Sequence, residues 1–192
     1  MKTISTKKLF ALCAALTCTA LVPLTAPANA QDGTKMVGGA KMYPTQNIVA
    51  NAVNSQDHTT LVAAVKAAGL VDTLEGPGPF TVFAPTNEAF AKLPAGTVDT
   101  LLKPENKDML VKILTYHVVP GHYDAADLLA KIKAGDGKAM LTTVQGGVLT
   151  FTKMHKHILV TDAKGDTAMI TIANVEQSNG VIHVVDTVLL PG

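Results

Sequence analysis

Residues 80–90, Phe-Thr-Val-Phe-Ala-Pro-Thr-Asn-Glu-Ala-Phe, constrain the fold more than any other stretch. Phe80, Val82 and Ala84 alternate with Thr81 and Phe83. This period of two, with apolar residues on both faces, predicts a central, buried strand. Pro85 brings no N–H to a ladder and ends the strand. Thr86 is placed to cap a following helix, with Glu88 near its positive end. Phe90 and Leu93 lie three apart on that helix and return to the core. A sharp strand-to-helix corner is expected here, and the other elements must be arranged around it.

The remaining chain divides by periodicity. Ile48, Val49, Ala52 and Val53 have helical spacing. Leu61, Val62, Val65 and Ala68 form one face of a second helix, which Asp57, His58 or Thr59 can cap and Gly69 stops. Beyond the corner, Thr97 caps a short helix reaching Leu102. Pro104 opens the next helix, whose buried stripe is Met109, Leu110, Ile113 and Leu114. Residues 116–119 read as a strand turned by Pro120-Gly121, and Asp124 caps a helix carrying Leu128, Leu129 and Ile132. From Lys138 the period becomes two, with strands expected at 139–144, 147–153, 157–162, 167–173 and 181–189. Helices crowd the first half and strands the second, which favours an α+β fold over a doubly wound sheet. No internal repeat is visible, so a single domain is expected.

The first thirty residues are set apart. Lys2, Lys7 and Lys8 precede an apolar run from Leu9 to Leu24, and Ala28-Asn29-Ala30 has the small-x-small form of a cleavage site. This is the pattern of a secretory signal peptide over 1–30, and its apolar run falls short of the roughly 20 residues of a spanning helix. No later segment approaches transmembrane length. Cys13 and Cys18 both lie in the leader, and neither follows a good lipoprotein box. The remainder is cysteine-free, so its own core must hold it together. The full chain carries +1, but three of its lysines belong to the leader, leaving the remainder at about −2. A near-neutral surface without arginine argues against a nucleic-acid partner. Residues 31–43 have little apolar periodicity and read as a flexible tether, leaving 44–192 as the domain.

Enzyme chemistry finds no foothold. There is no Gly-x-Ser-x-Gly elbow, no phosphate-cradling Gly-rich loop, and no recognisable base beside Ser55 or Ser178. His155-Lys156-His157 is the weak metal candidate: on a regular strand the two rings would share a face, but a stable site needs three or four ligands. The alternative is a solvated hairpin tip. Met36, Met42 and Met154 are further soft donors. Residues 162–166 lack the oxygen spacing of a calcium loop and read as a hairpin turn. His183 lies among Ile182 and Val184 and reads as a neutral, hydrogen-bonded core residue.

Three separated motifs carry a family resemblance. Phe-Thr-Val-Phe-Ala-Pro-Thr-Asn-Glu-Ala-Phe at 80–90, Tyr116-His117, and Asn179-Gly-Val-Ile-His-Val-Val-Asp-Thr-Val-Leu-Leu-Pro191 occur in the order found in fasciclin (FAS1) domains. The chain resembles that family over roughly 44–191. The resemblance implies a twisted β-wedge of about seven strands with several helices packed on one side. It implies adhesion or extracellular binding of a protein or polymer, with no cofactor and no catalysis. In some animal members the Tyr-His pair and its branched neighbours are implicated in adhesion to integrins. The matching residues are Tyr116 and His117 with Leu114, Val118 and Val119. Their alternative is a buried position in the sheet. The expected location is periplasmic or extracellular. With only one domain, avidity would call for self-association. A second functional reading is a periplasmic copper- or zinc-handling protein using His155 and His157.

Overall fold

The computed structural model describes residues 33–94 and 96–192. The expected leader, with Cys13 and Cys18, lies outside the described residues.

The expected corner is present. β3 (Phe80–Pro85) leads directly into α4 (Asn87–Ala91), and the Thr86 side chain accepts the Ala89 N–H at the helix start. β3 lies inside a seven-stranded sheet, flanked by β4 (Val118–Pro120) and β9 (Gly180–Val185). β9 runs parallel to β3, with Phe80 opposite Gly180 and Pro85 opposite Val185. The sheet continues antiparallel through β8 (Thr167–Gln177), β7 (His157–Thr161), β6 (Val148–Met154) and β5 (Lys138–Thr142). The Val144 N–H donates to the Val118 carbonyl (2.8 Å), bringing the two ends of the sheet together. The result is a nearly closed wedge of seven strands, as the resemblance implied, within an α+β chain.

Helices pack against one face of this wedge. They are α1 (Ile48–Ala52), α2 (Thr59–Ala68), α3 (Val71–Glu75), α4, α5 (Thr97–Leu101) and α6 (Lys107–Tyr116). Gly69 ends α2 in the left-handed region (φ 72), where a side chain would be strained. α7 (Ala125–Ala134) is the exception: its Leu128 and Ile132 join the core on the opposite face, with Leu141 and Leu149. Asp124 and Asp127 start α7 with a reciprocal capping box.

Alternation along the central strands creates two cores. Val82, Ala84, Ile182 and Val184 face the helices. Phe83, Val119 and Val185 face the interior of the wedge with Phe151, Leu149 and Val160. Phe83 and Phe151 pack with ring centroids 5.3 Å apart, and Phe83 stacks on the His183 ring at 5.6 Å.

Four expectations need correction. Residues 35–42, read within a flexible tether, form a hairpin of β1 (Lys35–Val37) and β2 (Ala40–Met42). Val37 and Met42 are buried in the helical core, so Met42 offers no exposed sulfur. Val37 and Met42 fall on the same side of the paired strands, a signal too short for a periodicity argument. Tyr116, read as the start of a strand, closes α6, and β4 begins only at Val118. Met109, assigned to the buried stripe of that helix, is 57% exposed. β8 extends four residues past its expected end because register shifts between Ile170 and Val175 absorb the irregularity that ends the simple alternation.

Candidate functional site

The Tyr116-His117 segment is an internal brace. All five residues the resemblance singles out are buried: Leu114 at 5% exposure, Tyr116 at 0%, His117 at 2%, Val118 at 6% and Val119 at 1%. Leu114 and Tyr116 are buried at the end of α6, His117 at its C-cap, and only Val118 and Val119 in the sheet. The Tyr116 hydroxyl donates to the Val148 carbonyl (2.9 Å) and accepts the Ala163 N–H (3.0 Å). One side chain thus ties the β5–β6 turn to the β7–β8 turn. A Cβ at Gly147 would lie 2.5 Å from Tyr116 Cε2, so the packed ring demands glycine there. Burial pushes the Tyr116 hydroxyl above its ordinary pKa, partly offset by the Ala163 N–H.

His117 is a linker of the same kind. Its Nδ1–H donates to the Ile113 carbonyl (2.8 Å), and its Nε2 accepts the Leu189 N–H (3.0 Å). That arrangement fixes a neutral ring between α6 and the chain's last apolar run. Desolvation lowers its pKa to about 4, against smaller opposing effects from the Ile113 carbonyl and Asp162.

His183 behaves as expected for a core histidine. Nε2–H donates to the Tyr123 carbonyl (2.8 Å), and Nδ1 accepts the Asn174 N–H (3.3 Å). Asn174 sits at φ 57 in β8, which aims its backbone at the ring. Burial again depresses the pKa.

His58 differs. The Ser55 hydroxyl meets its Nδ1 at 2.9 Å, so Ser55 does have a local histidine partner, contrary to expectation. Both are buried. Nε2, however, has no hydrogen-bond partner. Desolvation lowers the pKa; the Ala84 carbonyl opposes this but falls outside hydrogen-bond geometry. His58 precedes α2 without capping it, because its ring turns inward.

Asp162 is a structural hub that sequence reasoning saw only as a turn residue. Oδ1 accepts the Lys164 and Asp166 N–H groups (each 2.9 Å), and Oδ2 accepts the Leu190 N–H (2.9 Å). Asp in a hairpin suggests the first two bonds, but nothing local announces a partner 28 residues away. Asp186 plays a comparable role on the other side of the wedge. Burial alone would raise its carboxyl pKa. The Met169 N–H, the Thr187 hydroxyl and Lys92 outweigh that and hold it below the ordinary value.

The metal candidate changes shape. His155 adopts φ 54 in the turn between β6 and β7, which breaks the regular alternation that would have put its ring on one strand face with that of His157. Both histidines are exposed. Among the described residues, no group of three or more His, Cys, Asp or Glu is placed to hold a metal ion. Also among them, no helix is long and apolar enough to cross a membrane.

Several large apolar side chains are exposed. Met140 is 69% exposed, Val144 47% and Val148 43%. Met140 pairs with Thr150 and Thr142 with Val148 across β5 and β6, placing Met140 and Val148 on one solvent-facing side.

The fasciclin domain model matches residues 56–191. The chain belongs to the fasciclin domain family. Relatives of this fasciclin domain include Protein sll1483 of Synechocystis sp., 49% identical over 156 residues, spanning 81% of this chain and 79% of that protein. The cell surface glycolipoprotein MPB83 of Mycobacterium bovis is 33% identical over 189 residues, spanning 88% and 78%. A solved FAS1 domain pair from the insect cell adhesion molecule fasciclin I superposes with a TM-score of 0.68 at 20% identity, covering 77% of this chain and 52% of that one. That likeness carries the fold. The three sequence motifs are therefore fasciclin motifs, and in this member they form its internal framework: β3, the Tyr116-His117 brace and β9.

Proposed function

We propose that this fasciclin domain is an exported binding module that attaches to a protein or polymer at the cell surface, in the periplasm or outside the cell. Binding, not catalysis, fits a molecule whose deeply buried histidines are held neutral in the core. The observation that carries this reading is the exposed face of β5 and β6, which bears Met140 and Val148, with Val144 exposed in the turn after β5. Large apolar side chains exposed on one face of a sheet favour association with another surface. Tyr116 braces this face from behind through the Val148 carbonyl, and Val118 holds the Val144 N–H. In this proposal Leu114, Tyr116, His117, Val118 and Val119 support adhesion by shaping the surface, without touching the partner. The relative named for the cell surface supports the location.

Met140→Asp/Val148→Asp tests the proposal in an attachment assay with native cell envelopes. Both side chains are exposed, so the thermal midpoint is expected to stay within a few degrees of the parent. Attachment is expected to fall at least about tenfold, a loss of about 1.4 kcal/mol. Unchanged attachment by a folded double variant would remove this face from consideration. His155→Ala/His157→Ala is expected to have no effect on attachment.

A further inference from the structure

Between α1, α2, α3 and the helix-facing side of β3 and β9 lies a cavity of about 80 Å³, lined among others by Ile48, Val49, Val65, Leu74, Val82 and Ile182. Its wall is almost wholly hydrocarbon. A water-sized group requires about 10–15 Å³ measured this way, so the space suits roughly five to eight such groups. A chamber of that character holds water poorly, because water needs two to four polar partners.

His58 supplies the exception. It lines the same cavity, is 3% exposed, and leaves Nε2 without a partner while Ser55 occupies Nδ1. Native interiors rarely leave such an atom unsatisfied, and an unsatisfied group calls for an explanation. Lys66 and Thr73, both exposed, also belong to the lining and mark where it reaches the surface.

We propose that the cavity is a binding site for a small neutral amphiphile: a hydrocarbon body of roughly five to eight carbons with one hydroxyl oxygen that hydrogen-bonds His58 Nε2. A hydroxyl both donates and accepts, so it satisfies Nε2 in either ring tautomer. A carboxylate at Nε2 fits poorly, because the ring is neutral and the lining cation, Lys66, is exposed while His58 is buried. A pure alkane fills the space but leaves Nε2 unpaired. This site lies on the helical side of β3; Val144 also lines it, whereas Met140 and Val148 of the β5–β6 face do not, so Met140→Asp/Val148→Asp leaves the cavity wall intact.

The test is a titration of the purified, isotope-labelled protein with 1-hexanol, and separately with hexanoate at pH 7.5, followed by NMR. Hexanol is expected to give saturable shifts at the amides of Ile48, Val49, Val65, Val82 and Ile182 and at the His58 Nε2 nitrogen. Hexanoate is expected to bind at least about tenfold more weakly. His58→Leu is expected to weaken hexanol binding at least about fivefold, the loss of one hydrogen bond. Val65→Phe, which fills the chamber, is expected to abolish binding. No saturable shifts, shifts confined to the outer surface, or equal hexanol affinity for the parent and a folded His58→Leu variant would overturn the proposal. Should His58→Leu fail to fold, the parent's own Nε2 shift decides: an unmoved resonance at saturation overturns it equally.

Discussion

Val82 and Ala84 look into one hydrophobic cluster and Phe83, between them, into the other. The wedge-side cluster is tightly interlocked. Phe83, Phe151, Leu128, Leu149 and Val160 are each 0% exposed, and the Phe83 ring packs against both Phe151 and His183. The helix-side cluster is aliphatic, built from small and branched side chains on short helices, and it encloses unfilled space. Their histidines differ in the same sense. His183 and His117 satisfy both ring nitrogens, whereas His58 satisfies one. One side of the central strand pair is thus finished by its own side chains, and the other leaves volume and one polar atom over. Rigidity and capacity are separated across a sheet one residue thick.

The largest effect should come from the finished side. Phe83→Ala is expected to cost about 3–5 kcal/mol in urea unfolding, because interlocked neighbours cannot collapse into the space. A cost near 1 kcal/mol would show that the two clusters pack alike. Acid comes next. His117 is neutral in the fold with a pKa of about 4, against an ordinary 6.5. Its contribution is complete above pH 6.5 and is lost as pH falls toward 4, amounting to about 3 kcal/mol over that window. His183 and His58 are shifted the same way and steepen the slope. Urea midpoints that stay flat between pH 7 and 4.5 would contradict buried neutral rings.

Overpacking should separate the two sides most directly. Val160→Phe on the wedge side is expected to cost about 1–3 kcal/mol, and Val65→Phe facing the cavity less than about 1 kcal/mol. Equal costs would erase the distinction. The smallest effect belongs to neither core. Lys92 donates to the Asp186 carbonyl oxygen (2.6 Å) and lies 3.5 Å from its carboxylate, with side chains 53% and 35% exposed. Lys92→Met is expected to change stability by under about 1 kcal/mol, and 0.5 M salt should mute even that.

Much of the framework was legible because it is encoded locally. The alternation of 80–84, the Pro85 stop and the Thr86 cap each act within a few residues, so periodicity and capping rules reach them. So do the Asp124 cap and the strand-rich second half. What escaped depends on distant partners. Tyr116 has strand-like neighbours, but its hydroxyl bonds lie 32 and 47 residues away and its backbone completes α6. Met42 reads as tether because a three-residue strand carries too little pattern; the core that accepts it comes from α1 and α2. His58 gave one faint signal, the serine three residues before it, which is the spacing that brings the two side chains together. The family motifs were read as motifs, and β3 and His183 as buried; for Tyr116 and His117 the reading stood between an adhesion surface and the interior. A residue can mark a family because the fold needs it inside.

The parallel pairing of β3 with β9 joins residues 80–85 to 180–185 across a hundred positions. Without β9, β3 and β8 have no neighbour in common, and the sheet divides into two pieces that meet at the Val144–Val118 hydrogen bond. The middle of the wedge is therefore vacant until β9 has been made. Because the β3–β9 pairing closes a loop of about a hundred residues, the centre of the sheet is expected to complete late, after the local hairpins of β5 to β8.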